Sequence, residues 1–341
     1  MLQLARFRLF FLLPSLLVLA LGGSVWAEVP AGEPAYDAEL RAYPYPFEVS
    51  RFEFEAQGVP CSMAYMDVSS TTPNGRAVLL LHGKNFASDY WERTVRALTA
   101  KGYRVVAPDQ IGFGKSTKPE HFQFSFHALA AQTASLLDRL HLPRVAVVGH
   151  SMGGMLAIRF ALLYPEHVER LVLVNPIGLE DWSRAVPYQG IDERFAGELQ
   201  STPERMRAYM RASYFGGQWK PEYDVFLRIH AGWMHGPDWR RIAWISALTT
   251  DMAFTQPVVH ELGELTGPTL LIIGQKDRTA PGRERARPGL GAGLGNYPVL
   301  GRRAHESIPG STLVEIPEAG HLPQVEAFDR YWAALEAFLG P

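Results

Sequence analysis

Three residues able to carry out nucleophilic hydrolysis each stand where an apolar run stops. Ser151 lies in GHSMGG (149–154), between the apolar run VAVV and a second apolar stretch. Asp277 closes TLLIIGQKD (269–277), and His321 follows Glu318-Ala319-Gly320 after TLVEI. A serine hydroxyl attacks poorly until a base removes its proton, and that base needs a third group to orient it. The glycines around Ser151 permit a tight strand-to-helix turn that lifts the hydroxyl out of a sheet. The order Ser, Asp, His along the chain is one of the known orders for such a triad.

Strand-like and helix-like segments alternate around these positions. RFEFEA (51–56) and CSMAYMDV (61–68) read as a hairpin joined by Gln57-Gly58-Val59-Pro60. AVLLLH (77–82), YRVVAP (103–108), RVAVVG (144–149), ERLVLVN (169–175), TLLIIG (269–274) and TLVEI (312–316) are short apolar runs, as expected of buried strands. Helices are expected over YWERTVRALTAKGY, around 125–140, and from about 152 to 163. A last helix is expected to bury a stripe of Val325, Phe328, Trp332, Leu335 and Phe338. This order predicts an α/β fold with a mostly parallel eight-stranded sheet and helices on both faces. From 177 to 258 the alternation stops, and five of the eight tryptophans fall in that stretch. It reads as a helical cap inserted into a core made of 28–176 and 259–341.

The motifs together resemble the α/β-hydrolase fold family, over about residues 50–340. GHSMGG is similar to its nucleophile elbow, HGKN (82–85) to its oxyanion loop, and DQIGFGKS (109–116) to the loop after its fourth strand. GQKD and EAGH are similar to its acid and histidine turns. The resemblance implies Ser151 as nucleophile, His321 as base and Asp277 as its orienting acid, since Asn175-Pro176 occupies the alternative acid position. It implies an oxyanion hole from the backbone N–H of Met152 and of Lys84, with Asn85 the alternative. The Lys84 side chain is expected in solvent, the alternative being that it reaches substrate. An apolar acyl or alcohol pocket is expected from some of Trp182, Tyr188, Tyr214, Phe215, Trp219 and Trp233.

Other chemistry-bearing residues receive structural readings. His82, His150 and Asp109 are expected to satisfy local hydrogen bonds. His230 and His235 lack a third ligand, so no metal is expected, and no cofactor is needed. GLGAGLG (289–295) misses the spacing of a dinucleotide loop and has no clear helix after it, so it reads as a flexible insertion. Arg278, Arg283, Arg285 and Arg287 precede it and are expected on a solvated loop, the alternative being a mouth that favours anionic substrates.

The chain has 341 residues, 47% of them hydrophobic, and a net charge of −2, with no basic excess for nucleic acid. Arg6 and Arg8 precede an apolar stretch that ends in small residues, which predicts an export signal over 1–27, cleaved after Ala27, and no membrane span afterwards, the alternative being a retained anchor. Its removal leaves 31 basic and 35 acidic residues. The single cysteine, Cys61, allows no internal disulfide. The expected function is an exported, periplasmic or secreted serine hydrolase of small carboxylic esters. Alternatives are a carbon–carbon bond hydrolase or cofactor-free perhydrolase using the same triad, and a catalytically silent binding module.

Overall fold

A computed structural model describes residues 34–340; the export signal expected over 1–27 lies outside the described residues. Eight strands are present: β1 (Val49–Ala56), β2 (Val59–Val68), β3 (Ala77–Leu81), β4 (Arg104–Pro108), β5 (Val145–His150), β6 (Val168–Val174), β7 (Thr269–Gly274) and β8 (Thr312–Ile316). They form one sheet in the order β1-β2-β4-β3-β5-β6-β7-β8. β2 runs antiparallel to both neighbours, and the remaining pairs are parallel.

The helices are α1 (Glu92–Ala100), α2 (Phe126–Arg139), α3 (Met152–Leu163), α4 (Ile191–Leu199), α5 (Pro203–Ser213), α6 (Arg228–Met234), α7 (Trp239–Thr255), α8 (Tyr297–Ser307), the single turn α9 (Pro323–Glu326) and α10 (Phe328–Leu339). Every residue of β3, β5 and β7 is buried, because both sheet faces are covered. Alternate side chains serve alternate cores. Leu79 and Leu81 pack with Leu129, Met155 and Leu300 of α2, α3 and α8. Val78 and Leu80 pack with Val95 and Leu335 of α1 and α10. Each such aliphatic side chain contributes about 1.5–3 kcal/mol on burial. Since β4 and β5 flank β3 on opposite sides, the chain reverses its winding there. A crevice therefore opens at the carboxyl ends of β3 and β5, where open α/β sheets receive ligands.

Two expectations are corrected. The last helix buries Tyr331, Leu335 and Leu339, with Phe328, Trp332 and Phe338 half-buried at its margins. Val325 belongs to α9, because Ala327 leaves helical geometry (φ −142°, ψ 53°) and resets the helical phase. GLGAGLG is followed directly by α8 and is tied down rather than free. Gly295 N–H donates to Glu180 Oε1 at 2.8 Å, Arg287 N–H to Ala185 O at 2.8 Å, and Arg283 to Leu294 O.

Helices α4 to α7 lie between β6 and β7 in sequence and form the cap. An arm over residues 34–47 crosses from cap to core. Tyr36 N–H donates to Gly232 O at 2.8 Å, Ala38 N–H to Asp238 Oδ2 at 2.9 Å, and Trp233 Nε1 to Asp37 O at 3.1 Å. On the core side Tyr43 Oη donates to Asp89 at 2.9 Å and Tyr45 Oη to Asp109 at 2.7 Å. Gly232 is required by contact: a Cβ there would lie 2.0 Å from the Tyr36 ring. Among the described residues no helix is long and apolar enough to cross a membrane.

Candidate active site

Ser151 links β5 to α3 with φ 57° and ψ −122°, a conformation that non-glycine residues adopt only where the surroundings enforce it. The enforcing contact is the packing of α3 against β3: a Cβ on Gly153 would lie 2.2 Å from Leu81 O. Gly83, after β3, is constrained less severely, since a Cβ there would sit 3.0 Å from Ser151 Cβ. The oxyanion loop and the serine are thus in contact. Met152 occupies the first helical position, where N–H groups lack intrahelical acceptors and the dipole favours negative charge. Among the described residues no acceptor takes up the backbone N–H of Lys84.

Asp277 lies beyond β7 and His321 beyond β8, both completely buried. Asp277 Oδ2 accepts from His321 Nδ1 at 2.6 Å, which leaves Nε2 as the basic nitrogen of a neutral ring. Nε2 is buried without a hydrogen-bond partner and does not bond Ser151 Oγ in this structure. Such bonds are often long in unliganded enzymes and tighten when substrate arrives. The imidazole is fixed by its surroundings. Its backbone N–H donates to Tyr214 O at 2.7 Å, and the Tyr214 ring stacks on it at 4.4 Å. Thr279 Oγ1 approaches Nδ1 at 3.2 Å.

Asp277 is itself held. Asn175 Nδ2 donates to Oδ2 at 2.9 Å, and Thr279 N–H to Oδ1 at 2.8 Å. Asn175, set aside in the sequence as uncharged, therefore orients the acid. A second orienting residue, Glu326, also escaped the sequence reading. Its Oε1 accepts N–H from Gly320 and Leu322, each at 3.0 Å, so it grips the backbone on both sides of His321. Burial pushes its carboxyl up to about 7, with the Asp277 charge adding to the rise.

The other motif residues make local bonds. His82 Nδ1 donates to Gly83 O at 2.8 Å and Nε2 accepts Gln110 N–H at 3.1 Å. His150 Nε2 donates to His321 O at 2.8 Å, while Nδ1 accepts from Tyr90 Oη at 2.9 Å. Burial depresses both rings' pKa values, which keeps them neutral. Asp109 accepts Ser88 N–H and Lys115 N–H, each at 2.7 Å.

Between cap and core lies a cavity of about 380 Å³ that begins at Lys84, Asn85 and Phe86. Ser151 and His321 are not among its lining residues, although Lys84 and Asn85 of the loop after β3 are. Of the six expected pocket residues only Trp233 lines it. Trp182 packs into the main core, and Tyr188 lies outside with 60% of its surface exposed. Tyr214 and Phe215 join a small cluster with Phe86 and Leu322, with Trp219 at its edge, because the cap needs its own core. Tyr214 nevertheless walls the histidine, and its Oη accepts from Asn85 Nδ2 at 2.8 Å.

The cavity is also not the expected apolar cleft. Lys84, Arg194, Arg205, Arg285, Glu198 and Glu284 contribute to its walls beside Ile242 and Ile245. The Lys84 side chain turns inward rather than to solvent, and its Nζ donates to Ser246 Oγ at 2.9 Å. Burial lowers its pKa. Arg285 reaches the cavity from the basic loop and donates from Nη1 to Pro187 O at 3.1 Å; Arg278, Arg283 and Arg287 also bond backbone carbonyls of the loop and its neighbours.

Comparison with known proteins bears on the fold. Residues 76–328 match the family described as alpha/beta hydrolase fold. A 2-hydroxy-6-oxo-2,4-heptadienoate hydrolase of Pseudomonas putida is 38% identical over 219 residues, covering 61% of this chain and 74% of the relative. A 2-hydroxy-6-oxononadienedioate/2-hydroxy-6-oxononatrienedioate hydrolase of Burkholderia vietnamiensis is 29% identical over 276 residues, covering 80% of this chain and 89% of the relative. The crystal structure of a probable hydrolytic enzyme from Pseudomonas aeruginosa superposes with a TM-score of 0.89 at 51% identity, covering 91% of this chain and 99% of that one. With the strand order, the elbow and a family match over most of its length in agreement, the chain belongs to the alpha/beta hydrolase fold family.

Proposed function

We propose that this chain is an exported serine hydrolase that cleaves small carboxylic esters through an acyl-enzyme. One observation carries the reading: His321 is buried with its Nδ1 fixed by Asp277 at 2.6 Å and its Nε2 unpartnered, in a chain whose Ser151 sits in an enforced strand-to-helix turn. Ser151 Oγ attacks the ester carbonyl as His321 Nε2 takes its proton. Asp277 stabilises the resulting imidazolium without itself taking the proton. The N–H groups of Met152 and Lys84 meet the oxyanion, where one such donor is typically worth about 3–4 kcal/mol. The imidazolium then protonates the departing alcohol. Water, activated by the same nitrogen, releases the acid and restores Ser151.

The test uses p-nitrophenyl esters from acetate to laurate on residues 28–341, with Ser151→Ala alongside. Turnover that disappears in the variant, together with fluorophosphonate labelling of Ser151, supports the reading. Absence of both in the unaltered chain refutes it and favours a binding module.

The named activities of the Pseudomonas and Burkholderia relatives favour a second reading, hydrolysis of a carbon–carbon bond beside a ketone in a dienoate. There the same machinery protonates carbon instead of an alcohol. Offering 2-hydroxy-6-oxo-2,4-heptadienoate and following the loss of its conjugated absorbance separates the two. The leader expected from the sequence supports export of either enzyme, and fractionation of the expressing cells tests it.

A further inference from the structure

The carboxyl end of α5 lies against the triad. The last carbonyls of a helix have no intrahelical donors, and here two of them are met by the turns that carry Asp277 and His321. Ser213 O accepts the N–H of Arg278, next to Asp277, at 2.9 Å, and Tyr214 O accepts the N–H of His321 at 2.7 Å. The approach is close enough that a Cβ on Gly320 would lie 1.8 Å from Tyr214 O. The Tyr214 ring then covers the imidazole, with centroids 4.4 Å apart and planes at 26°. The neighbouring rings of His150 and Tyr297 stand at 55° and 75° to the imidazole, so Tyr214 alone among the described residues lays its face on it. Its hydroxyl is anchored by Asn85 Nδ2 at 2.8 Å and by Tyr209. Asn85 and Tyr209 line the cavity, whereas Tyr214 does not.

A tyrosine face attracts a cation within about 6 Å of its centroid, and the carboxyl end of a helix is the negative end of its dipole. Both favour the imidazolium over the neutral ring. That state exists only while Nε2 holds the proton taken from Ser151. His150, beside the same ring, stays neutral because burial depresses its pKa, so it does not oppose the charge.

We propose that the cap supplies a positioning residue: Tyr214 fixes the plane of the His321 imidazole and stabilises its charged form during proton transfer. The cap is then a working part of the triad as well as a cover for the cavity. The role of His321 as base rests on the serine-hydrolase reading; the placement of its ring by Tyr214 does not.

Two substitutions separate the ring face from the hydroxyl. Tyr214→Phe keeps the face and loses the bond to Asn85, whereas Tyr214→Leu loses the face. With p-nitrophenyl acetate, kcat of the Leu variant should fall about five- to thirtyfold. KM should stay within about twofold, because Tyr214 is not a cavity residue. The Phe variant should keep kcat within about twofold. Proton NMR reads the placement without turnover. The proton between His321 Nδ1 and Asp277, assigned by its loss in Asp277→Asn, should persist downfield in the Phe variant and broaden or vanish in the Leu variant. A folded Leu variant with kcat within about twofold of the parent overturns the proposal, as does an equal loss in both variants or a change confined to KM. Thermal melts identify a Leu variant that fails to fold, in which case Tyr214→Met takes its place. Absent labelling of Ser151 by a fluorophosphonate in the unaltered chain refutes the serine-hydrolase reading instead. The proton signal then still decides on Tyr214, and a signal unchanged in the Leu variant overturns its placement of the ring.

Discussion

Replacing Glu326 separates two effects that one carboxylate exerts on the histidine turn. Its Oε1 accepts both backbone N–H groups flanking His321. In Glu326→Ala two donors lose their acceptor at about 1–3 kcal/mol each, a loss of roughly 2–6 kcal/mol. For about 300 folded residues each kcal/mol shifts the melting midpoint by roughly 1.5 °C, so a fall of about 3–9 °C is expected. Glu326→Gln keeps an acceptor oxygen and removes the charge. The Glu326 carboxyl is raised from 4.5 to about 7 by burial. Between those values the folded chain holds a proton that the unfolded chain has released. Stability therefore falls as pH rises through that window, by at most about 3 kcal/mol, and less where solvent reaches the group. The Gln variant should lack this slope: close to the unaltered chain near pH 5 and more stable above pH 7. Urea unfolding of the three proteins at pH 5, 6, 7 and 8 reads both effects. An Ala variant as stable as the parent, or a Gln variant with the parental slope, refutes the reasoning.

Two further outcomes follow from named contacts. Asp277→Asn removes the charge 2.6 Å from His321 Nδ1 and should lower kcat by about 10⁴ with KM little changed; a loss below tenfold would place the acid elsewhere. Gly232→Ala puts a methyl group into the Tyr36 ring and should release the arm from the cap. Limited proteolysis would then cut before residue 48 faster than in the parent, and equal rates would contradict the contact.

The sheet was legible because β3, β5 and β7 are buried at every position and must read as unbroken apolar runs. Ser151 and Asp277 were legible because each follows such a run, and His321 because it closes the turn after β8. The cap was not. Its aromatics divide between a private core, as Phe215 stacked on Tyr223 at 3.9 Å, and the cavity, as Trp233, and residue type alone does not make that division. Lys84 was assigned to solvent because lysine is seldom buried, a preference that Ser246 overrides with a partner 162 residues away. Glu326 carried one signal, a short sequence distance from His321 within a turn, but its reach back to two backbone donors depends on the α9 fold.

The arm over residues 34–47 bears on how the cap can move. An insertion joined to its parent layer at two points resembles a door on two pins, free to swing about the line between them. The bonds of Tyr36 and Ala38 to the cap, with those of Tyr43 and Tyr45 to the core, act as a third fastening away from that line. A third fastening opposes that swing, because opening the cap would have to break these bonds. The arm thus restrains the cap against the core beside the cavity that Arg205, Glu284 and Arg285 help to line.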